Sequence, residues 1–365
     1  MWRAQSADPS QNAGMMFHPS RRAMLLSGLC AANGAYALPV KTLSFPRDCG
    51  SHPDFRTEWW YVTGHARSGA RELGFQVTFF RSRVPGTEGM KSIFAAKHLF
   101  FAHAAVTDVD GKKLVHDQRI LREGFELAQA STTDTQVQIK DWALLREGKG
   151  YRANVAGEAF KLALYFEPTQ AVLLQGDQGL SRKGPEEKQA SYYYSEPQLA
   201  TSGSISLGGA QMPVKGTAWL DHEWSQELLH PEAVGWDWIG MNLFDGSSVT
   251  AFQLRDKEGR PIWDGGSFRT AKNQRFGFRQ GEVVFSRQRS WKSPLSQASY
   301  PVEWIVRTPA DFYTVKAVIP NQELDSRAST GAIYWEGLSD LFDSNGNHVG
   351  RGYLEMTGYA RPLNL

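Results

Sequence analysis

From Glu58 onward, apolar and polar residues alternate with a period of two, in short aromatic and β-branched runs punctuated by glycine and proline. Trp59-Trp60-Tyr61-Val62-Thr63, Gly74-Phe75-Gln76-Val77-Thr78-Phe79-Phe80 and Phe100-Phe101-Ala102-His103-Ala104-Ala105-Val106 are such runs. Successive side chains on a strand point to opposite faces, so these segments read as strands. Asp110-Gly111, Asp245-Gly246 and Asn345-Gly346 lie between runs, where a tight hairpin turn needs positive φ, so the connections are antiparallel. No sustained helical stripe competes; the short candidate at 226–233 is interrupted by Pro231. Antiparallel strands with a buried face close into sandwiches or barrels, which removes exposed edges.

A chain of 365 residues exceeds what one core usually fills, so two domains are expected. An internal similarity supports this. Glu58-Trp59-Trp60-Tyr61-Val62 is followed by Phe75-Gln76-Val77, and Trp236-Asp237-Trp238-Ile239-Gly240 is followed at nearly the same interval by Phe252-Gln253-Leu254-Arg255. This reads either as a duplicated hairpin or as two unrelated aromatic hairpins. The expected division is a targeting segment at 1–37, one β-domain at 38–205 and a second at 206–365, meeting between Gln198 and Lys215.

Arg21-Arg22, the apolar run Ala23 to Leu29 and Ala35-Tyr36-Ala37 read as a cleaved export signal, giving a mature chain that starts at Leu38 and is periplasmic or secreted. Ser20-Arg21-Arg22-Ala23-Met24-Leu25 fits a twin-arginine signal, with the general secretory route as the alternative. A start at Met15 or Met16 gives a more usual signal length. The apolar run is too short to span a bilayer, so no transmembrane segment is expected in the mature chain. Cys49 alone follows the signal, which excludes an intramolecular disulfide there. A formal net charge of +2 without a dense basic run argues against nucleic acid as a partner.

Trp219-Leu220-Asp221-His222-Glu223-Trp224 is the densest cluster of functional groups. On a strand, Asp221 and Glu223 share one face, and His222 and Trp224 share the other. If the His222/Trp224 face lines a barrel cavity, the imidazole is placed for acid or base work; otherwise it is a satisfied core histidine. Asp237, between Trp236 and Trp238, either has a raised pKa and donates a proton or hydrogen-bonds a neighbouring segment. Tryptophan faces nearby suit a developing carbocation. In the first half, Glu58 and Arg81 either close a barrel end as an ion pair or serve with Gln76 as polar hooks in a pocket. The candidate catalytic set is therefore His222, Trp224 and Asp237, and the candidate ligand-binding set is Glu58, Trp60, Tyr61, Gln76, Arg81, Trp236 and Trp238. No metal is expected: His98 and His103 fall on opposite faces and no His-Glu-x-x-His or paired-cysteine pattern occurs. No Gly-x-Ser-x-Gly elbow occurs, and no cofactor is expected.

Glu58 to Gly64, Gly74 to Arg81, Trp219 to Trp224, Gly235 to Trp238, Tyr334-Trp335-Glu336-Gly337 and Gly352 to Tyr359 together resemble the AttH-like, carotenoid 1,2-hydratase-related (CrtC) family. The resemblance implies an all-β fold of two tandem lipocalin-like (calycin-type) antiparallel β-barrels. It implies either an exported binder of an apolar lipid- or isoprenoid-like molecule working with ABC transporter components, or a cofactor-independent hydratase adding water to a carbon-carbon double bond. His222-Glu223-Trp224 matches the hydratase branch's His-x-Trp element.

Overall fold

A computed structural model describes residues 37–363 except position 88. The export signal read in residues 1–37 lies outside them except for Ala37. The described residues form a 13-stranded antiparallel sheet running from Thr57 to Glu227, a 10-stranded one from Gly235 to Met356, and a small hairpin. Their one helical turn is Arg47–Cys49. The aromatic and β-branched runs are strands throughout, and each large sheet curls into a lipocalin-like barrel. In the first, the edge strands Lys113–Arg122 and Ala128–Ala130 are consecutive in the chain and joined through a Gly124–Ala128 bridge, so the sheet bends round until it is nearly closed.

The chain passes from the first sheet to the second between Glu227 and Gly235. The stretch from Gln198 to Lys215 lies inside the long hairpin Ala190–Leu207/Ala210–Glu227 of the first sheet. Its turn, Gly208-Gly209, has positive φ at both residues, which carries the ladder straight through that region.

Parity along the strands decides the layering. Thr57–Ser68 pairs with Ala210–Glu227 so that Glu58 faces Trp224, Trp60 faces His222 and Val62 faces Leu220, all inside the first barrel. The intervening pairs, Trp59 with Glu223 and Tyr61 with Asp221, point away from that interior. In the second sheet, Asp237, Ile239 and Met241 turn inward, while Trp236 and Trp238 turn outward beside Leu254 and Phe252. The two outward faces meet, and Tyr61, Trp219, Trp238, Phe252, Leu338 and Tyr353 form an apolar cluster between the sheets.

Each barrel buries an acid–arginine pair from its leading hairpin. Glu58 and Arg81, cross-strand partners, form an ion pair at 2.9 Å, and Asp237 and Arg255 form one at 2.7 Å. The two pairs differ in register: Arg81 lies directly opposite Glu58, whereas Gln253 lies opposite Asp237 and Arg255 opposite Gly235. The Glu58 carboxylate also accepts from the Ser51 hydroxyl at 2.8 Å and the His52 backbone N–H at 2.9 Å, and faces His222 Nε2 at 3.0 Å. Burial alone would raise its pKa, but the bonds to His222 and His52 and the charge of Arg81 outweigh this and hold it well below the usual carboxylate range. Trp224 stacks on His52 at 3.7 Å and Trp60 on His222 at 4.7 Å, so the knot is roofed by indoles.

Removing one partner of a buried ion pair strands the other charge, at a cost of about 3–5 kcal/mol. Arg81→Ala is therefore expected to destabilise the fold by that amount in guanidinium denaturation followed by tryptophan fluorescence. A midpoint equal to wild type would show that the knot does not hold the first barrel.

Candidate functional site

The barrel interiors are filled. Trp60, Trp142, Tyr194 and Trp224 pack the first, and Trp304 and Trp335 the second, each 2% or less exposed. Open space is found between the barrels, where a cavity of about 250 Å³ has walls from both sheets. Its apolar surface comes from Trp59, Phe80 and Phe101 on one side and Trp236, Trp238 and Phe252 on the other. At the edge, Arg361 and Leu363 of the C-terminal segment contribute, anchored by the Leu363 N–H to the Val234 carbonyl at 2.8 Å.

Three carboxyl groups reach this cavity without a salt-bridge partner among the described residues. Glu336 and Glu355 are cross-strand partners on Ala332–Phe342 and His348–Met356, and so project side by side from the same face. Desolvation, then the neighbouring Glu355 charge, raise Glu336 well above the usual carboxylate range, against a hydrogen bond from Tyr61. Because Tyr61 donates to Glu336 Oε1, the carboxyl proton belongs on Oε2, which has no hydrogen-bond partner among the described residues. Glu355 is half-buried, its open side being the cavity, and desolvation lifts it to about 7. Asp221 is also pushed up to about 7 by burial, although Ser195, Trp219 and Tyr193 donate to it at 2.5, 2.7 and 2.9 Å. Glu223 differs, since Lys183 lies 3.0 Å away and Ser191 donates to it.

A fourth polar group sits on the first-barrel wall. Gln76 donates to Tyr334 at 3.2 Å, and Tyr334 lies 2.9 Å from His103 Nδ1. Burial drives His103 down to about 3, so its ring is neutral. The cavity therefore combines carboxyl groups whose affinity for a proton is raised, a neutral imidazole and indole faces. It is equipped to move protons on an apolar molecule.

Of the residues singled out in the sequence, Tyr61, Gln76, Trp236 and Trp238 come together at this cavity. Glu58 and Arg81 touch its border, but their side chains turn inward to the knot. Trp60, His222 and Trp224 lie in the first barrel's interior. Burial lowers His222 to about 4 despite the pull of Glu58. Asp237 lies inside the second barrel, where it pairs with Arg255 and accepts from Gln253 at 2.8 Å and Tyr359 at 2.9 Å. Glu336, Glu355, Tyr334 and His103 were not singled out as site residues. The spacing of Tyr334 and Glu336 on one strand face was the available signal.

His52, Glu58 and His222 bring potential metal-ligand atoms within 4.8 Å of one another. Arg81 already balances the Glu58 charge there, and Glu58 accepts the imidazole contacts. The trio is thus complete as a hydrogen-bonded knot. No helix among the described residues is long and apolar enough to cross a membrane.

The AttH-like family model matches residues 36–359. The crystal structure of a Nitrosomonas europaea protein assigned to AttH is 46% identical, with a TM-score of 0.83 over 88% of this chain and 99% of that one. Kievitone hydratase from Nectria haematococca superposes with a TM-score of 0.69 at 12% identity, over 88% of this chain and 94% of that one. CghA with Sch210972 gives 0.50 at 11% identity, over 86% and 89%. These last two share the fold. A comparison with curated proteins found no match. With both barrels spanned by the family model and by a relative of nearly half-identical sequence, this chain belongs to the AttH-like family.

Proposed function

We propose that the inter-barrel cavity binds an apolar lipid- or isoprenoid-like molecule and adds water to, or removes it from, a carbon-carbon double bond without a cofactor. The observation that carries this reading is the Glu336–Glu355 pair, two carboxyls side by side on a cavity wall with no salt-bridge partner among the described residues. Like-charged neighbours in an apolar site share a proton, which supplies an acid and a base at once. In the hydration direction Glu336 gives its proton to one alkene carbon, the π electrons forming the new C–H bond. The cationic carbon left behind is stabilised by the indole faces of Trp236 and Trp238. Water bonds to that carbon as its own proton passes to Glu355, and the proton returns across the pair to Glu336. The net change is addition of one water. Kievitone hydratase, a hydratase by name, shares the two-barrel fold, which is in keeping with this chemistry.

A cavity of about 250 Å³ is at the small end for ligand sites, which suits a short isoprenoid or one end of a longer chain. The chain is further proposed to work outside the cytoplasm, on the strength of Arg21-Arg22, the apolar run and Ala35-Tyr36-Ala37. ABC transporter components would there deliver or collect its ligand.

Incubating the purified chain with an isoprenoid and lipid extract in heavy-oxygen water is expected to give labelled alcohols. Loss of a general acid slows turnover about 10²–10⁴-fold, so Glu336→Gln should remove the label while retaining ligand. Retained ligand with no label from wild type either would instead mark a carrier.

The active pair holds one proton, so its pH profile has two limbs. Activity should rise as pH climbs through about 7, where Glu355 ionises, and fall again at higher pH as Glu336 loses its proton. Glu355→Gln should abolish the rising limb. A rate independent of pH between 5 and 9 would remove the carboxyl pair from the mechanism.

N-terminal mass analysis of the cell-envelope fraction is expected to find Leu38 as the first residue. Recovery of the uncleaved chain from the cytoplasm alone would remove the export proposal.

A further inference from the structure

Gln76 lines the cavity, is 1% exposed, and its Oε1 has no hydrogen-bond partner among the described residues. A buried unpaired acceptor is costly unless something donates to it. Whether the amide presents its oxygen or its nitrogen to the cavity is decided by a chain of bonds leading away from it. The far end is fixed: Gln118 Nε2 donates to the Asp325 carbonyl at 2.8 Å, so Gln118 Oε1 is turned toward Ser329. The Ser329 hydroxyl lies 2.6 Å from that oxygen and 3.1 Å from the Ser326 carbonyl. Both are pure acceptors, so its single proton is committed to them.

Ser329 can therefore only accept from His103 Nε2, 2.9 Å away. The neutral ring carries its proton on Nε2 and offers Nδ1 as an acceptor. Tyr334, 2.9 Å from Nδ1, must donate to it. The Tyr334 oxygen is left to accept, and the Gln76 Nε2 amide donates to it at 3.2 Å and to Thr78 at 3.0 Å. Both amide protons are then used. The oxygen is the atom that remains.

We infer that Gln76 is a specificity-determining residue, a fixed hydrogen-bond acceptor that makes the cavity select an apolar molecule carrying a hydroxyl group over one carrying a carbonyl or ether. The inference rests on the reading of the cavity as a ligand site and narrows its substrate class to alcohols and phenols. Ser329, which does not line the cavity, acts as a positioning residue: through His103 and Tyr334 it sets which way the Gln76 amide faces.

The test uses the purified full chain and three probes of matched carbon skeleton: geraniol, geranial and geranyl methyl ether. Binding is followed by quenching of the tryptophan fluorescence. Geraniol is expected to bind about tenfold more tightly than either of the others, the worth of one satisfied buried acceptor. Gln76→Met, similar in shape but without an amide, should bring the three affinities to within about twofold. Ser329→Ala removes the acceptor that fixes the His103 tautomer. The relay can then reverse, the Gln76 amide can turn its N–H to the cavity, and the preference should move toward geranial. Circular dichroism at matched temperature checks that both variants fold. Equal affinities in wild type, or a preference unchanged in either folded variant, overturns the assignment of Gln76 while leaving the cavity as a binding site. No quenching by any of the three overturns the cavity reading itself, and the inference with it.

Discussion

Burying a carboxyl group in an apolar interior is unfavourable for its charged form, and this protein does so repeatedly. It meets the constraint in two ways. Glu58 and Asp237 each receive an arginine and remain ion-paired inside a barrel. Glu336, Glu355 and Asp221 receive none and are pushed toward neutrality at the barrel–barrel interface. The first solution makes rigid cores. The second leaves carboxyl groups with raised proton affinity beside an open cavity.

The second solution is possible only because the central strands are buried on both faces. The central strand Ser248–Arg255 is buried at every residue, so neither face is spent on solvent. One parity packs a barrel and the other builds the interface. Tyr61 and Glu336 meet across that interface, and Gly74 marks how closely the sheets approach, since a Cβ there would lie 2.8 Å from the Tyr353 hydroxyl. A larger residue at that position would wedge the sheets apart and loosen the Tyr61–Glu336 contact along with them. The geometry of the cavity wall and the docking of the barrels are thus one structural problem.

The strands, their antiparallel pairing and the Glu58–Arg81 ion pair were legible in the sequence, because period-two patterning and turn chemistry are local. The alternation at Trp219 to Trp224 also correctly separated Asp221 and Glu223 from His222 and Trp224. What it left undecided was which face meets the cavity. That depends on the second sheet, whose residues lie more than a hundred positions away in the cases of Tyr334, Glu336 and Glu355. An aromatic cluster with a histidine looks like a pocket lining whether it encloses space or fills it; here Trp60 stacks on His222, Trp224 stacks on His52 and packs against His222, and together they fill it. The carboxyl pair was hidden for a related reason. Glu336 and Glu355 sit on different strands, and only their register makes them neighbours.

A lipocalin-type barrel of this size can hold one small ligand or be filled by side chains, but not both. With six tryptophans buried to 2% or less across the two barrels, Trp60, Trp142, Trp219, Trp224, Trp304 and Trp335, little interior room remains. Five of them occupy barrel cores, while Trp219 belongs to the interface cluster. Setting two such barrels side by side changes what they can do. Two filled barrels, each stable through its own core and its own buried ion pair, can place a cavity between them whose walls come from strands rather than loops. Strand walls hold side chains in fixed register, and fixed register is what sets Glu336 beside Glu355 on the cavity wall. Such a site gains positional accuracy from packing that neither barrel has to sacrifice.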